Sequence, residues 1–286
     1  MLLRGQLNML RIATTALLGF VPLSPALAED QPFLTLNATD IEPEFARELE
    51  QNFVWASGKP GQSFNSIIGE SEFEYGFTDQ LQLATGIDYD WTRQRDHTVP
   101  GAPALSGTAI DGIFSELIYQ FMNVYFEPAG VGLLVEPAIG RNSRSIETKL
   151  LLQKNFLNDR LRAVVNLGGE FATERENGTW GDVSALTFDA GIAYNITWDL
   201  SAALEFNATH EFDGLLLNGR AVPTGSTYYV GPTIQYVAQP WRASLGVQAQ
   251  LPWASDPTHA PGGLDHGFSA DAERFRVMFR ITRGAL

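Results

Sequence analysis

Between Glu70 and Trp91 the chain alternates polar and apolar side chains along two arms joined at Gly76-Phe77-Thr78-Asp79. On the first arm Glu70, Glu72 and Glu74 share one side, and Phe73 and Tyr75 take the other. On the second, Gln80, Gln82, Ala84, Gly86, Asp88 and Asp90 oppose Leu81, Leu83, Thr85, Ile87, Tyr89 and Trp91. Successive strand side chains point to opposite faces, so this is a β-hairpin with an acidic, hydrated face and an apolar face edged by aromatics. A soluble sandwich also alternates, but its strands average about 5–6 residues, against about 9–11 for a membrane crossing. The unbroken pattern over Gln80–Trp91 therefore selects a transmembrane antiparallel up-and-down β-barrel of the outer-membrane type.

The N-terminus agrees with that compartment. Arg4 and Arg11 precede the apolar stretch Ile12–Val21, and Ala26-Leu27-Ala28 offers small residues where a signal peptidase cuts. Residues 1–28 are expected to be a signal peptide cleaved near Ala28, and the apolar run is short for a retained spanning helix. The leader carries two arginines and no acid, so its loss makes a chain of net charge −14 more acidic still. Such a chain is no nucleic-acid partner. No later segment reaches the roughly 18 uninterrupted apolar residues of a transmembrane helix. A membrane location thus requires a closed barrel, the other form that satisfies every backbone group in lipid. The absence of cysteine excludes disulfides and thiolate metal sites.

Residues 29–46, with Pro32 and Pro43, read as a periplasmic lead-in, and 47–286 as the barrel. About twelve strands follow from the alternation: Glu48–Ser57, one ending at Tyr75, Gln80–Thr92, Gly112–Phe121, Val131–Ile139, Ser145–Phe156, Leu161–Thr173, Ser184–Tyr194, Leu200–Phe212, one through Tyr228–Tyr236, Trp241–Trp253, and a last one carrying Phe275–Ile281. Polar connections are expected at 93–110, 174–181, 213–224 and 254–270. Every second turn is short and similar, as in Tyr75-Gly-Phe-Thr-Asp79, Tyr119-Gln-Phe-Met-Asn123 and Lys154-Asn-Phe-Leu-Asn158. This gives a period of one hairpin plus one outer loop, the short-periplasmic, long-external asymmetry of such barrels. Tyr75, Tyr119, Tyr194, Tyr236 and Trp241 then mark one lipid–water boundary, and Trp55, Tyr89, Trp91 and Trp253 the other.

The phrase Glu72-Phe-Glu-Tyr-Gly-Phe-Thr-Asp-Gln-Leu-Gln-Leu83 resembles the hairpin of a broad group of proteobacterial outer-membrane proteins related to the "MetA-pathway of phenol degradation". The resemblance extends loosely over the mature chain, and it implies an outer-membrane barrel with a transport role. The C-terminus departs from the group, ending Arg283-Gly-Ala-Leu286 where such barrels commonly end on Phe. Recognition by the barrel assembly machinery would then fall to Phe279 and Ile281, or would tolerate Leu286.

The inward positions define the candidate site. Glu48, Glu50, Glu70, Glu72, Glu74, Asp88, Asp90, Glu116 and Glu136 supply an acidic wall, and Arg242, Arg274, Arg276 and Arg280 a basic one. First and last strands meet in a closed barrel, so Arg274, Arg276 and Arg280 are expected across the seam from Glu48 and Glu50. Two uses compete: a charge network bracing a narrow, plugged lumen, or a hydrated channel with a transverse field that orients small solutes, hydrophobic or charged. Structural or adhesive barrels with working outer loops belong to the first. A lipid-modifying enzyme needs a Ser–His pair with an orienting group. His210, on the outward face, has no serine in Asn207-Ala-Thr-His-Glu-Phe212, and the other histidines (His97, His259, His266) fall in loops. No catalytic group, cofactor or metal site is expected; Asp256, His259, Asp265 and His266 are a weak loop signal. The expected partners are outer-membrane lipid, the assembly machinery and a small solute.

Overall fold

The computed structural model describes residues 31–97, 101–176, 178–255, 264–265, 267–269 and 272–285. The strands are β1 (Arg47–Ser57), β2 (Gln62–Thr78), β3 (Leu81–Asp96), β4 (Leu105–Met122), β5 (Gly130–Gly140), β6 (Ser143–Phe156), β7 (Leu161–Glu176), β8 (Thr179–Asn195), β9 (Leu200–Asp213), β10 (Val222–Ala238), β11 (Trp241–Gln250), β12 (Leu264–Asp265), β13 (Phe268–Ser269) and β14 (Phe275–Ala285). β12 and β13 form a small separate hairpin. The other twelve close into an antiparallel barrel in which each pairs with its chain neighbour and β1 pairs with β14 at the seam. Closure leaves no sheet edge in lipid, where an unpaired amide costs several kcal/mol.

The faces fall as the alternation requires. Phe73, Leu83, Val247 and Phe279 stand on the outer wall at 40%, 36%, 46% and 39% exposure, while Glu72 and Arg276 line the interior. With no soluble core to cover that apolar band, hydrocarbon is its complement. Leu245 lies midway along β11, paired with Ile234 and Phe279. Leu245→Arg is therefore expected to destabilise the barrel by about 2–4 kcal/mol in bilayers. Equilibrium unfolding from liposomes reads this, and an unchanged midpoint would contradict lipid contact there.

Several connections differ from expectation. β3 and β4 stay paired out to Gln94↔Leu105, so the connection expected at 93–110 is largely strand. The loop expected at 174–181 is a tight turn, since Glu176 pairs with Thr179. Polar residues masked both segments, but ladder bonds beyond the hydrocarbon need no apolar side chains. The strand expected to reach Trp253 stops at Gln250, two residues before Pro252, which has no N–H for a ladder. The outer side is thus less loop-rich than the alternation implied.

The lead-in differs most. Residues 31–42 lie inside the barrel rather than forming a periplasmic lead-in outside it; Pro32, Phe33, Leu36, Ala38, Thr39, Asp40 and Glu42 are buried, whereas Pro43, Glu44 and Phe45, just before β1, are exposed. The expected signal peptide, residues 1–28, and residues 29–30 fall outside the described residues.

Candidate functional site: an acid-walled lumen with an internal strap

Backward from β1, the strap passes the strands in order around the inner wall, near their short-turn ends. The Glu42 amide donates to Gln82 Oε1 of β3 at 2.7 Å. The Thr39 amide donates to Gln153 Oε1 of β6 at 2.8 Å, and the Thr39 carbonyl accepts from Gln120 Nε2 of β4 at 2.6 Å. Asn166 of β7 grips Asn37 at both main-chain groups, each bond 2.8 Å. Glu205 of β9, fully buried, accepts from the Leu34 amide (3.1 Å), the Thr35 amide (2.8 Å) and Thr35 Oγ1 (2.6 Å), and also from Thr233. Gln235 of β10 donates to the Gln31 carbonyl at 2.7 Å, and Arg280 of β14 donates to the Phe33 and Leu34 carbonyls at 3.2 and 3.4 Å. At about 3.3 Å per residue, residues 31–42 can reach roughly 40 Å, enough to run along most of the inside of a barrel of this strand number.

Apolar side chains complete the fit. Phe33, Leu36 and Ala38 pack with Val164, Ala193 and Ala203, and Ile41 packs against Ile118, Leu134 and Leu151. These wall residues point inward, where a water-filled lumen would carry polar groups. Burying Phe33 and Leu36 contributes about 1.5–3 kcal/mol each. Two wall glycines make the room: a Cβ at Gly191 would lie 2.7 Å from the Phe33 ring, and one at Gly246 2.7 Å from Leu34 Cδ1.

Beside the strap is a chamber of about 490 Å³. Glu50, Glu70, Glu72, Glu74, Glu116, Glu136 and Glu147 line it together with Lys149, Arg276 and Arg280, and Gln31, Leu34, Thr35, Leu36 and Asn37 of the strap form part of its boundary. Glu50 is 3.1 Å from Arg280 across the seam, Glu147 is 2.9 Å from Lys149, Glu70 accepts from Asn52 at 3.0 Å, and Glu74 accepts from Gln82 at 2.9 Å. Glu72, Glu116 and Glu136 have no hydrogen bond or ion pair among the described residues. Further out, Asp88, Asp90 and Asp111 line a recess of about 240 Å³.

The arginines divide. Arg280 faces Glu50 as the seam requires. Glu48 pairs instead with Arg242 of β11, both buried. Arg276 pairs with Glu273 and stacks on Tyr229, 3.8 Å from its ring centre. Arg274 lies over Phe268 at 3.7 Å, away from the chamber wall. The expected ladder of three arginines against Glu48 and Glu50 is thus one seam contact, because Arg242 reaches Glu48 from the strand behind β14. Arg242→Ala would strand a buried carboxylate, an expected cost of about 3–5 kcal/mol, whereas Arg242→Met with Glu48→Gln should cost far less. Thermal unfolding in detergent compares the two, and equal losses would mean that the pair carries no buried charge.

Carboxylate oxygens of Glu42, Glu48 and Glu74 lie within 4.8 Å of one another, as do those of Glu50, Glu72 and Glu74, spacings at which a divalent cation can be held. Arg242, Arg280 and Gln82 already supply donors to these groups. At the outer face His210 contacts Tyr228 Oη at 3.2 Å, and the exposed Ser63 Oγ is 2.6 Å from His97 Nε2. Among the described residues no carboxylate or amide side chain bonds to either imidazole. His259, His266 and Asp256 lie outside the described residues, as does the side chain of Asp265.

The candidate girdle residues are on the outer wall. Tyr75, Tyr119, Tyr194, Tyr236 and Trp241 stand at the short-turn ends of their strands, and Trp55, Tyr89, Trp91 and Trp253 toward the other end. Arg47, Arg160 and Arg283 approach the rings of Tyr75, Tyr194 and Trp241 at 6.0, 5.2 and 5.5 Å, placing cations beside one aromatic ring.

A closed twelve-stranded antiparallel barrel, apolar outside and charged inside, is the fold of outer-membrane β-barrel proteins. This chain belongs to a family of unknown function (DUF6662), whose model matches residues 25–274. No curated protein matches it. Among solved structures it is similar to the COG4313 outer membrane channel from Pseudomonas putida F1, at 12% identity and TM-score 0.64 over 88% of this chain and all of that one. It is also similar to the NanC porin, at 11% identity and TM-score 0.53 over 83% of this chain and all of that one. The translocator domain of autotransporter NalP from Neisseria meningitidis matches at 10% identity and TM-score 0.51, over 87% of this chain and 90% of that one. At these identities the likeness concerns the fold.

Proposed function

We propose that this protein is an outer-membrane channel for small solutes, with a lumen that favours cations. The carrying observation is the set of unpaired carboxylates, Glu72, Glu116 and Glu136, on the wall of the roughly 490 Å³ chamber. An acidic wall attracts cations and repels anions at close range. The resemblance of Glu72–Leu83 to the MetA-pathway group, with its transport role, supports the same reading. Two proteins of similar fold, a channel and a porin, support it too. The chain is read as a non-enzyme, delivered by cleavage of residues 1–28 near Ala28, inserted by the barrel assembly machinery and ringed by outer-membrane lipid. Its solute is a small molecule rather than a nucleic acid.

Planar-bilayer recording tests this. The expected result is small discrete steps, with a reversal potential of cation-selective sign in a potassium chloride gradient. Absence of steps, together with no solute leakage from liposomes, would sink it. The strap favours a second reading, a barrel whose lumen is plugged and whose work is structural, and that same silent recording would support it.

A further inference from the structure

The barrel ladder closes without residues 31–46: β1 pairs with β14 and β2, and every other barrel strand has both neighbours. The strap adds no strand to this sheet. It is held by wall side chains, and most of these grip its main chain. Gln82, Gln120, Gln153, Asn166, Glu205, Gln235 and Arg280 bond to amides or carbonyls of Glu42, Thr39, Asn37, Thr35, Leu34, Phe33 and Gln31. Asn166, giving one bond and taking one, imitates a neighbouring strand. Main-chain bonds of this kind supply affinity with little demand on sequence, and pockets for a few side chains supply specificity. Here the pockets are the apolar floors at Val164, Ala193 and Ala203, filled by Phe33, Leu36 and Ala38.

We propose that this inner belt is a binding track for an extended polypeptide, that residues 31–42 occupy it in cis as a detachable ligand, and that the vacated track accepts an extended apolar-anchored peptide in trans. The partner is defined by its chemistry. It has an unpaired, extended main chain, an aromatic and an aliphatic anchor three residues apart like Phe33 and Leu36, and a polar residue between anchors and exit. The wall side chains Gln82, Gln120, Gln153, Asn166 and Glu205 would lose their main-chain partners in an emptied track, which favours that occupant over a compact solute. The inference does not depend on conduction, because occupancy is measurable in a silent barrel.

The test uses the full chain in detergent micelles, with Phe33→Asp and Leu36→Asp spoiling the anchors, and a fluorescent synthetic peptide of residues 31–42 as probe. Saturable binding by anisotropy is expected, at least tenfold tighter than to the unaltered protein, whose own strap competes. A further Asn166→Leu should weaken it at least tenfold, and a scrambled peptide should bind no better than background. Absence of saturable binding to a β-rich, heat-modifiable protein, or equal binding of the scrambled peptide, would overturn the proposal. Should the anchor-spoiled chain fail to assemble, Thr39→Cys in the otherwise unaltered chain decides. Thr39 is fully buried under the strap contacts, and the natural chain has no cysteine. Labelling by a bulky maleimide that excess 31–42 peptide accelerates supports exchange; complete protection over hours, with or without peptide, overturns it.

Discussion

Glu205→Ala is expected to free the strap from its strongest anchor while leaving the barrel closed. Glu205 is fully buried, and its carboxylate takes the amides of Leu34 and Thr35 together with the hydroxyls of Thr35 and Thr233. Those amides point at the wall and have no ladder to fall back on. Each buried donor left unsatisfied costs about 1–3 kcal/mol, so the strap's docking should weaken by several kcal/mol. The seam is untouched, because β1 and β14 pair through Arg47↔Ala285 to Ser57↔Phe275 with no strap residue involved. Limited proteolysis followed by mass spectrometry is the measurement. Cleavage within 31–42 should appear in the variant and be absent from the parent, while heat-modifiable gel mobility persists in both. A strap that stays protected would show that its apolar anchors alone hold it. Loss of the barrel band would show that the strap is part of the barrel's own stability.

Charge selectivity should respond most to the triple change Glu72→Gln, Glu116→Gln and Glu136→Gln. The three side chains line one chamber and make no hydrogen bond or close ion pair among the described residues, so less of their charge is tied to a neighbour than at Glu50 or Glu147. Gln has nearly the same shape and removes only the charge. For an ion passing about 6 Å from a carboxylate in water, the attraction is about 0.7 kcal/mol, and three sum to about 2 kcal/mol before salt reduces them. The cation preference should therefore fall by up to roughly tenfold, most steeply at low ionic strength. Reversal potentials in a potassium chloride gradient at two salt concentrations would register it. Unchanged selectivity would locate the ion path away from this chamber. Glu50→Gln is the instructive contrast, since Glu50 is held by Arg280 at 3.1 Å, and its loss should release a positive charge rather than merely delete a negative one.

Alternation made the wall of this barrel legible. Leu83, Ile87, Leu167, Ile192 and Phe279 could be placed outside, and Glu72, Glu116 and Asn166 inside, because each strand carries its own two-residue period and no distant contact can change which side a residue takes. Loop boundaries were harder to read. A polar paired strand such as Arg93–Asp96 has the composition of a loop, and only the partner segment Leu105–Ser106 decides that it is strand. The partner of Glu48 was hidden for a similar reason. Seam neighbours follow from strand order, but Arg242 reaches Glu48 from the strand beyond β14, and side-chain length rather than order sets that contact.

The strap is the clearest case of what escaped. Residues 29–46 carry two prolines, Pro32 and Pro43, and read as a short periplasmic lead-in. A faint signal did exist on the wall: Ile118, Leu134, Leu151, Val164, Ala193 and Ala203 are apolar at inward positions, and Gly191 and Gly246 are bare there. Such residues make little sense against water and good sense against a buried peptide, yet nothing in their own strands names the segment that covers them. By itself, then, the sequence determined the closed barrel and its two faces, because a local period and the demand that every backbone group be paired in lipid leave no other solution. The filling of the lumen, the split of the arginines and the three acids left unpaired were decided only in the tertiary structure, because they depend on which side chains, distant along the chain, come within hydrogen-bonding reach once the ring is closed.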